Sequence, residues 1–293
     1  MRKMENVEYQ YILREFEKLY GNRIDKIQEI GEGKFILKIG KERIVVHLGI
    51  RMNIENYQEF EIEENNFIQK CRKELKGLKF SGVEQKNDDR VFCFVFEGFE
   101  TRKELFFEMF GEGNAILVSE GKVVDCYKKE KWADRETRPK EEYKLPKSNV
   151  VKKIEEAVSE KYVISCMMRL PLGKKYAKEI LKRLDIDERT IGNSLSKSDI
   201  DRIDKEIEKM NRELKPIGFF DKEIIIDYGL TDLIEYNECE KKEYDSLSEL
   251  IGYYYKNAVQ DKKNEKKEKL IKRLGDQEKQ LVELKEKEQT YKK

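Results

Sequence analysis

The residue pair best suited to recognition chemistry is Asp89–Arg90, at the junction between the polar run "KNDD" and the alternating run "VFCFVF". An arginine presents a planar fork that fits a phosphate or a guanine edge, whereas an aspartate repels phosphate and accepts from exocyclic amines and hydroxyls. If the strand pattern includes both residues, their side chains point to opposite faces, so each needs a partner other than its neighbour. From the residues alone two arrangements stay open. In one the pair meets a ligand; in the other Asp89 caps a turn and Arg90 lays its stem over the phenylalanines.

Further basic residues fall in patterns that suit a phosphate backbone. Arg72, Lys73 and Lys76 share one face of a helical stretch. The run from Lys128 to Arg138 holds Lys128, Lys129, Lys131, Arg135 and Arg138, and within it Trp132 is expected to anchor the loop rather than stack on a base. In "PLGKK", Gly173 lets backbone N–H groups approach an anion at the start of the next helix, with Lys174 and Lys175 adding charge. For each of these groups a plain solvated surface is the alternative.

Catalytic signatures are missing. The single histidine, His47, lies in "RIVVHLG" with no acid or nucleophile nearby in sequence and reads as an ordinary sheet residue. There is no GxSxG, HExxH, GxGxxG or Walker loop. The 5 cysteines are far apart and form no CxxC pair, so reduced thiols are expected, with no metal site and no cofactor. The chain is not expected to be an enzyme.

The elements that must position these residues follow from hydrophobic periodicity. Tyr9, Ile12, Leu13, Phe16, Leu19 and Tyr20 recur at helical spacing up to the stop at Gly21-Asn22. Strand patterns follow in "KFILKIG" and "RIVVHLG", then a helical interval near 65–75, then strands at 90–96, 104–110, 114–118 and 122–127 joined by the turns "GEGN" and "SEGK". In the strand after Arg90, Phe92, Phe94 and Phe96 face one way and Val91, Cys93 and Val95 the other. Residues 1–147 thus read as an α+β domain on an antiparallel meander, bounded by the extended run "PKEEYKLP". Residues 148–243 read as mostly helical with a short β segment. Asn149 is expected to cap a helix over 150–160 and Ser198, with Asp201, a helix ending near Leu214. Between them Pro171-Leu172-Gly173 breaks two helical patterns, as in a helix-hairpin-helix. Over 244–293, Leu270, Leu274, Leu281 and Leu284 mark a coiled-coil seam that runs to Lys293 without a stop signal, which implies an N-terminal fragment and a coiled-coil partner or dimer.

Composition narrows the classes further. The 293 residues carry 61 basic and 60 acidic side chains, a formal net charge of +1, so any nucleic-acid surface must be a local patch. No apolar run reaches the roughly 20 residues of a membrane span, and Met1-Arg2-Lys3 does not open a signal peptide, so a cytoplasmic protein is expected.

Several stretches together resemble the NFACT family of ribosome quality-control factors, RqcH- and NEMF-like proteins of archaeal or bacterial type, also called the fibronectin-binding protein A N-terminal domain family. "QKCRKELKGLKF", "NDDRVFCFVF", "GEGNAILV" and "TRPKEEYKLP" appear in the family's order and near its spacing, with Lys140 where glycine is more usual. "YDSLSELIGYYY" resembles the segment before the family's long coiled coil. The resemblance implies an N-terminal domain similar to formamidopyrimidine-DNA glycosylases, a helix-hairpin-helix and a coiled coil. It also implies binding to large ribosomal subunits (rRNA and peptidyl-tRNA) and recruitment of charged tRNA, of the alanyl type, for template-free tailing of stalled chains. Asp89 and Arg90 match the family's Asp-Arg motif, tied to tRNA recruitment, and Glu8 stands where the family carries an acid in its first helix. Arg51-Met52-Asn53 lacks the histidine some members have there.

Two rival classes remain. A DNA glycosylase of the similar fold needs an N-terminal Pro-Glu, and this chain starts Met1-Arg2-Lys3-Met4. A fibronectin-binding surface adhesin needs an export route that no signal peptide or wall anchor supplies here.

Overall fold

The computed structural model describes residues 2–55 and 64–257. The expected coiled-coil seam at Leu270, Leu274, Leu281 and Leu284 lies outside the described residues.

Helix α1 (Asn6–Phe16) buries Val7, Tyr9, Ile12 and Phe16 and ends in a 3-10 turn over Glu17–Leu19. Strands β1 (Ile24–Glu29), β2 (Lys34–Ile39), β3 (Glu42–His47) and β4 (Arg51–Ile54) form an antiparallel sheet of 4 strands in sequence order. Helix α2 (Asn66–Leu75) starts at Asn65, whose side chain accepts from the Ile68 N–H at 2.8 Å. A second antiparallel meander of 5 strands follows: β5 (Lys79–Gln85), β6 (Val91–Gly98), β7 (Thr101–Glu108), β8 (Asn114–Ser119) and β9 (Lys122–Cys126).

The alternation read in "VFCFVF" is met on both faces. Phe92, Phe94 and Phe96 enter the main core, with Tyr9 over Phe92 at 5.1 Å and Phe16 edge-on to Phe94 at 6.0 Å between ring centres. Val91, Cys93 and Val95 enter a second cluster with Phe106 and Ile116. Tyr143, from the extended run after residue 139, covers this outer face with its ring 4.2 Å from that of Phe106. The run is therefore extended because it serves as a lid on a sheet, bonded through Val123 N–H to Glu141 C=O at 2.8 Å. Lys140 has a φ of +77°.

Beyond the small hairpin β10 (Glu130–Lys131) and β11 (Glu136–Thr137) the chain turns helical, with α3 (Ile154–Ala157), α4 (Val163–Met167), α5 (Lys174–Arg183) and α6 (Lys197–Arg212). A sheet of 3 strands, β12 (Ile217–Asp221), β13 (Ile224–Gly229) and β14 (Glu240–Glu243), precedes the last described helix, α7 (247–257). One main cluster of buried side chains runs from Met4 to Tyr255.

Several local expectations are corrected. Strands β1, β4 and β5 were not legible as strands: exposed Asp25, Lys26 and Glu84 blur the alternation in β1 and β5, and β4 carries Arg51 and Asn53 as buried polar residues. Asn149 caps nothing: the chain stays extended to Lys153, with Val151 N–H bonded to Arg169 C=O at 2.8 Å. The capping box of α6 is Ser196 with Asp199, two residues before Ser198. Ser198 and Asp201 fall inside that helix.

The left-handed backbone at Lys140 costs a non-glycine residue about 1–2 kcal/mol, which glycine avoids at a smaller entropic cost of roughly 0.5–1 kcal/mol. Lys140→Gly is therefore expected to stabilise the protein by up to about 1 kcal/mol in urea unfolding, and a destabilised variant would refute this account.

Candidate nucleic-acid interface

Strand β6 begins at Val91, so Asp89 and Arg90 lie in the turn before it rather than on alternating faces of a strand. The turn is tight because Asn87 and Asp88 take φ of +55° and +52°, a conformation these two residue types tolerate. One Asp89 carboxylate oxygen accepts from the Arg90 N–H at 2.7 Å and the other from the Ser148 hydroxyl at 2.8 Å. From below, the Asn6 amide donates to Asp88 C=O at 2.7 Å, while Gln85 donates to Asn6 at 2.6 Å and to Asp89 C=O at 2.8 Å. The turn is thus clamped by α1, by the end of β5 and by the loop at Ser148.

Arg90 is held by its backbone, accepting from Met109 N–H at 2.7 Å. Its side chain is half-buried and makes no hydrogen bond or ion pair among the described residues. Of the two arrangements left open by the sequence, the turn-closing one is seen at Asp89, and the Arg90 guanidinium donates no hydrogen bond among the described residues. The clamp residues Asn6, Gln85 and Ser148 were missed in sequence, since three isolated polar residues far apart carry no pattern.

Other predicted residues divide by burial. Glu8 is fully buried, paired with Arg2 and accepting from the Tyr176 hydroxyl at 2.7 Å and the Glu5 N–H at 2.9 Å. It has no surface with which to meet RNA, so its expected contact with tRNA is corrected to an internal role. Arg2 also reaches Asp227 at 2.8 Å, and Lys175 bonds the same carboxylate at 2.5 Å. Burial disfavours a charged Asp227, yet Arg2 and Lys175 hold its pKa below the usual carboxylate value. Burial, with Arg2 nearby, lowers the Lys175 pKa. Lys175 is therefore committed inside the protein and not to an RNA backbone.

The anion site expected at the start of α5 is already filled. Gly173 has a φ of +100°, and a Cβ there would run into the Glu5 carboxylate, which accepts from the N–H groups of Lys174 at 3.1 Å and Lys175 at 3.3 Å. Burial, and after it Glu8, raises the Glu5 pKa. Only the exposed Lys174 side chain of that trio faces solvent.

Arg135 is likewise internal. It grips Glu108 with two bonds of 2.5 and 2.8 Å, and their side chains are 7% and 1% exposed. Arg138 is exposed but paired with Glu136 and Glu141. On α2, Arg72 donates to Ile27 C=O at 2.8 Å and pairs with Glu64 at 2.6 Å, whereas Lys73 and Lys76 are exposed and unpaired among the described residues. Lys76 precedes β5 and Asp89 follows it, so the strand's length of about 20 Å separates this strip from the Asp-Arg turn. Trp132, expected to anchor its loop, is 56% exposed.

No cluster able to hold a metal ion and no helix long and apolar enough to cross a membrane occurs among the described residues. His47 sits in β3, where burial, then Lys34 and Arg51, push its pKa down to about 4.

Comparison with known proteins adds the following. The family profile for NFACT N-terminal and middle domains matches residues 7–293. The chain is 28% identical over 303 aligned positions to the archaeal Rqc2 homolog aRqcH of Methanocaldococcus jannaschii, covering 92% of this chain and 45% of that protein. It is 29% identical over 112 positions to ribosome quality control complex subunit 2 of Schizosaccharomyces pombe, covering 35% of this chain and 11% of that protein. The chain thus spans less than half the length of these relatives. The fibrinogen binding protein of Staphylococcus aureus superposes with a TM-score of 0.67 at 16% identity, covering 86% of this chain and 98% of that one. The N-terminal part of the fibronectin/fibrinogen-binding protein of Streptococcus suis does so at 0.67 and 19%, covering 87% and 99%. At such identities the two structures establish a shared fold.

Two consequences are measurable. Removing Glu8 leaves the Arg2 guanidinium buried beside a cavity, so Glu8→Ala is expected to cost about 3–5 kcal/mol in urea unfolding; an unperturbed midpoint would return Glu8 to the surface. His47 has a folded pKa below its unfolded value, so the unfolded chain binds the extra proton. Stability present above pH 6.5 is therefore lost as pH falls toward about 4. With no other histidine in the chain, His47→Gln should flatten the stability profile between pH 6.5 and 5 relative to the parent; identical profiles would contradict the depressed pKa.

Proposed function

The chain belongs to the NFACT family, and from that membership we propose that it is a ribosome quality-control factor that recruits tRNA to obstructed large ribosomal subunits. The names of the archaeal and fission-yeast relatives support the process. The observation that carries the tRNA reading is Arg90: a guanidinium with free donors on a turn fixed from three sides.

RNA sequence is read where bases leave the helix, through their edges and through phosphate and ribose contacts. Arg90 supplies a fork for a phosphate or a guanine edge. Asp89 uses one acceptor direction on each oxygen inside the protein and keeps others for an exocyclic amine or a hydroxyl. Because the turn is clamped before any ligand arrives, little ordering cost falls on binding. In this reading the protein positions charged tRNA, of the alanyl type, and peptide-bond formation belongs to the ribosome.

Arg90→Ala is expected to weaken tRNA binding by about 5- to 100-fold, the range for losing one specific arginine contact. Asp89→Ala is expected to weaken it too, by loosening the turn. Binding by fluorescence anisotropy, with thermal melts as a control for folding, measures both; unaltered affinity in the two variants would end the assignment.

A further inference from the structure

We infer that Trp132 is a stacking platform for an unpaired RNA base, forming one continuous surface with Arg90, Lys129 and Lys131. The inference rests on the tRNA reading above and extends it from an edge-and-phosphate contact to a stacked nucleotide.

The first observation is how much structure holds an exposed indole in place. Trp132 follows β10 in the β10–β11 hairpin and is 56% exposed. Its own N–H closes the hairpin onto Arg135 C=O at 2.8 Å. Behind it, Arg135 makes the buried two-bond pair with Glu108, and Tyr143 donates to the same carboxylate at 3.1 Å. Asn114 donates to Lys128 C=O and accepts from Lys128 N–H, both at 2.9 Å. The hairpin is thus fixed on both limbs while its largest apolar side chain stays in water.

The second observation is position. Lys147 pairs with Asp134 of the hairpin at 3.0 Å, and the next residue, Ser148, bonds Asp89 at 2.8 Å. On the other side Glu108 holds Arg135, and the next residue, Met109, bonds Arg90 C=O at 2.7 Å. Two separate dipeptides therefore bridge the Trp132 hairpin to the Asp-Arg turn.

The third is charge. The nearby acids are engaged: Glu112 with Lys128, Glu130 with Asn114, Asp134 with Lys147 and Glu136 with Arg138. Lys129 and Lys131 are exposed and enter no ion pair among the described residues, and the half-buried Arg90 side chain enters none either. Against these stands Asp88, whose carboxylate is also unpaired. A lone indole flanked by surplus cations matches the way single-stranded nucleic acid is held, by a stacked base with a neutralised backbone, rather than the multi-residue apolar core of a protein interface.

The sequence contains a single tryptophan, so its emission reports this site alone. The test titrates the 293-residue chain with an anticodon stem-loop RNA and with a blunt duplex of the same stem. The loop RNA is expected to quench the emission and the duplex to leave it nearly unchanged. By anisotropy, Trp132→Ala should bind the loop roughly 5- to 100-fold more weakly, with Trp132→Phe in between because a smaller ring face remains. If the loop RNA binds with Arg90-dependent affinity but without quenching, and Trp132→Ala binds equally well, the platform is overturned and the tRNA reading stands. If neither RNA binds, both fall together.

Discussion

The acidic side chains of the first helix hold the molecule together across great sequence distance. Glu5 caps α5 through the N–H groups of Lys174 and Lys175. Glu15 caps α7 through Leu247 N–H at 2.6 Å, Ser248 N–H at 3.1 Å and the Ser246 hydroxyl at 2.9 Å. Between them Glu8 meets Arg2 and Tyr176 with no exposure to water. Helix starts carry unsatisfied N–H groups and a partial positive charge, so a carboxylate from another element satisfies both at once. One short helix thereby orients the two later helices and, through Asn6, the turn that carries Arg90. A basic helix start that looks available for phosphate in sequence is, in this protein, already neutralised from within.

The same use of acids recurs at the proposed RNA surface. Asp89 closes a turn by accepting from the Arg90 N–H, and Glu108 holds a hairpin by gripping the Arg135 guanidinium. Arg90 beside the first is half-buried without a hydrogen bond or ion pair among the described residues, and Trp132 in the hairpin of the second is 56% exposed. Leaving a guanidinium half-buried and unpaired costs some stability, and an exposed indole contributes none, so both are the sort of local inconsistency that marks a binding surface. Arginine suits the position better than lysine because its fork is planar and loses less freedom for each bond it forms.

Much of the architecture could be read from the chain, and the failures have physical causes. The helix at 6–16 and the strands at 34–39, 42–47 and 91–126 were legible because burial on one or both faces imposes a period. The strand over Arg51–Ile54 was not, since Arg51 is buried by pairing with Glu55 and Asn53 and by lying 4.5 Å over the Tyr255 ring, which no local pattern reveals. For the site, Asp89 and Arg90 were found by residue type and by resemblance, while Arg135, Lys175 and Glu8 were misplaced on the surface. Charge alone does not say whether a side chain is free, because the partner comes from a distant segment. Trp132 erred the other way, since aromatic residues are buried more often than displayed.

Near-neutrality of the whole chain then acquires a meaning. With 61 basic and 60 acidic side chains nearly cancelling, long-range attraction to nucleic acid is weak. Three unpaired cations around the Asp-Arg turn and the Trp132 hairpin would release only a few counterions on binding, far fewer than the 6–10 phosphate contacts of strongly salt-dependent binders. In the proposed reading such a surface would gain little from any RNA it happens to meet, and its binding free energy would come from fit: a base with a ring to lie on and an edge or phosphate within reach of a fixed fork. The rigid clamps behind Arg90 and Trp132 are what fit requires, because a site that gains little from charge cannot also bear the entropy of ordering two loops.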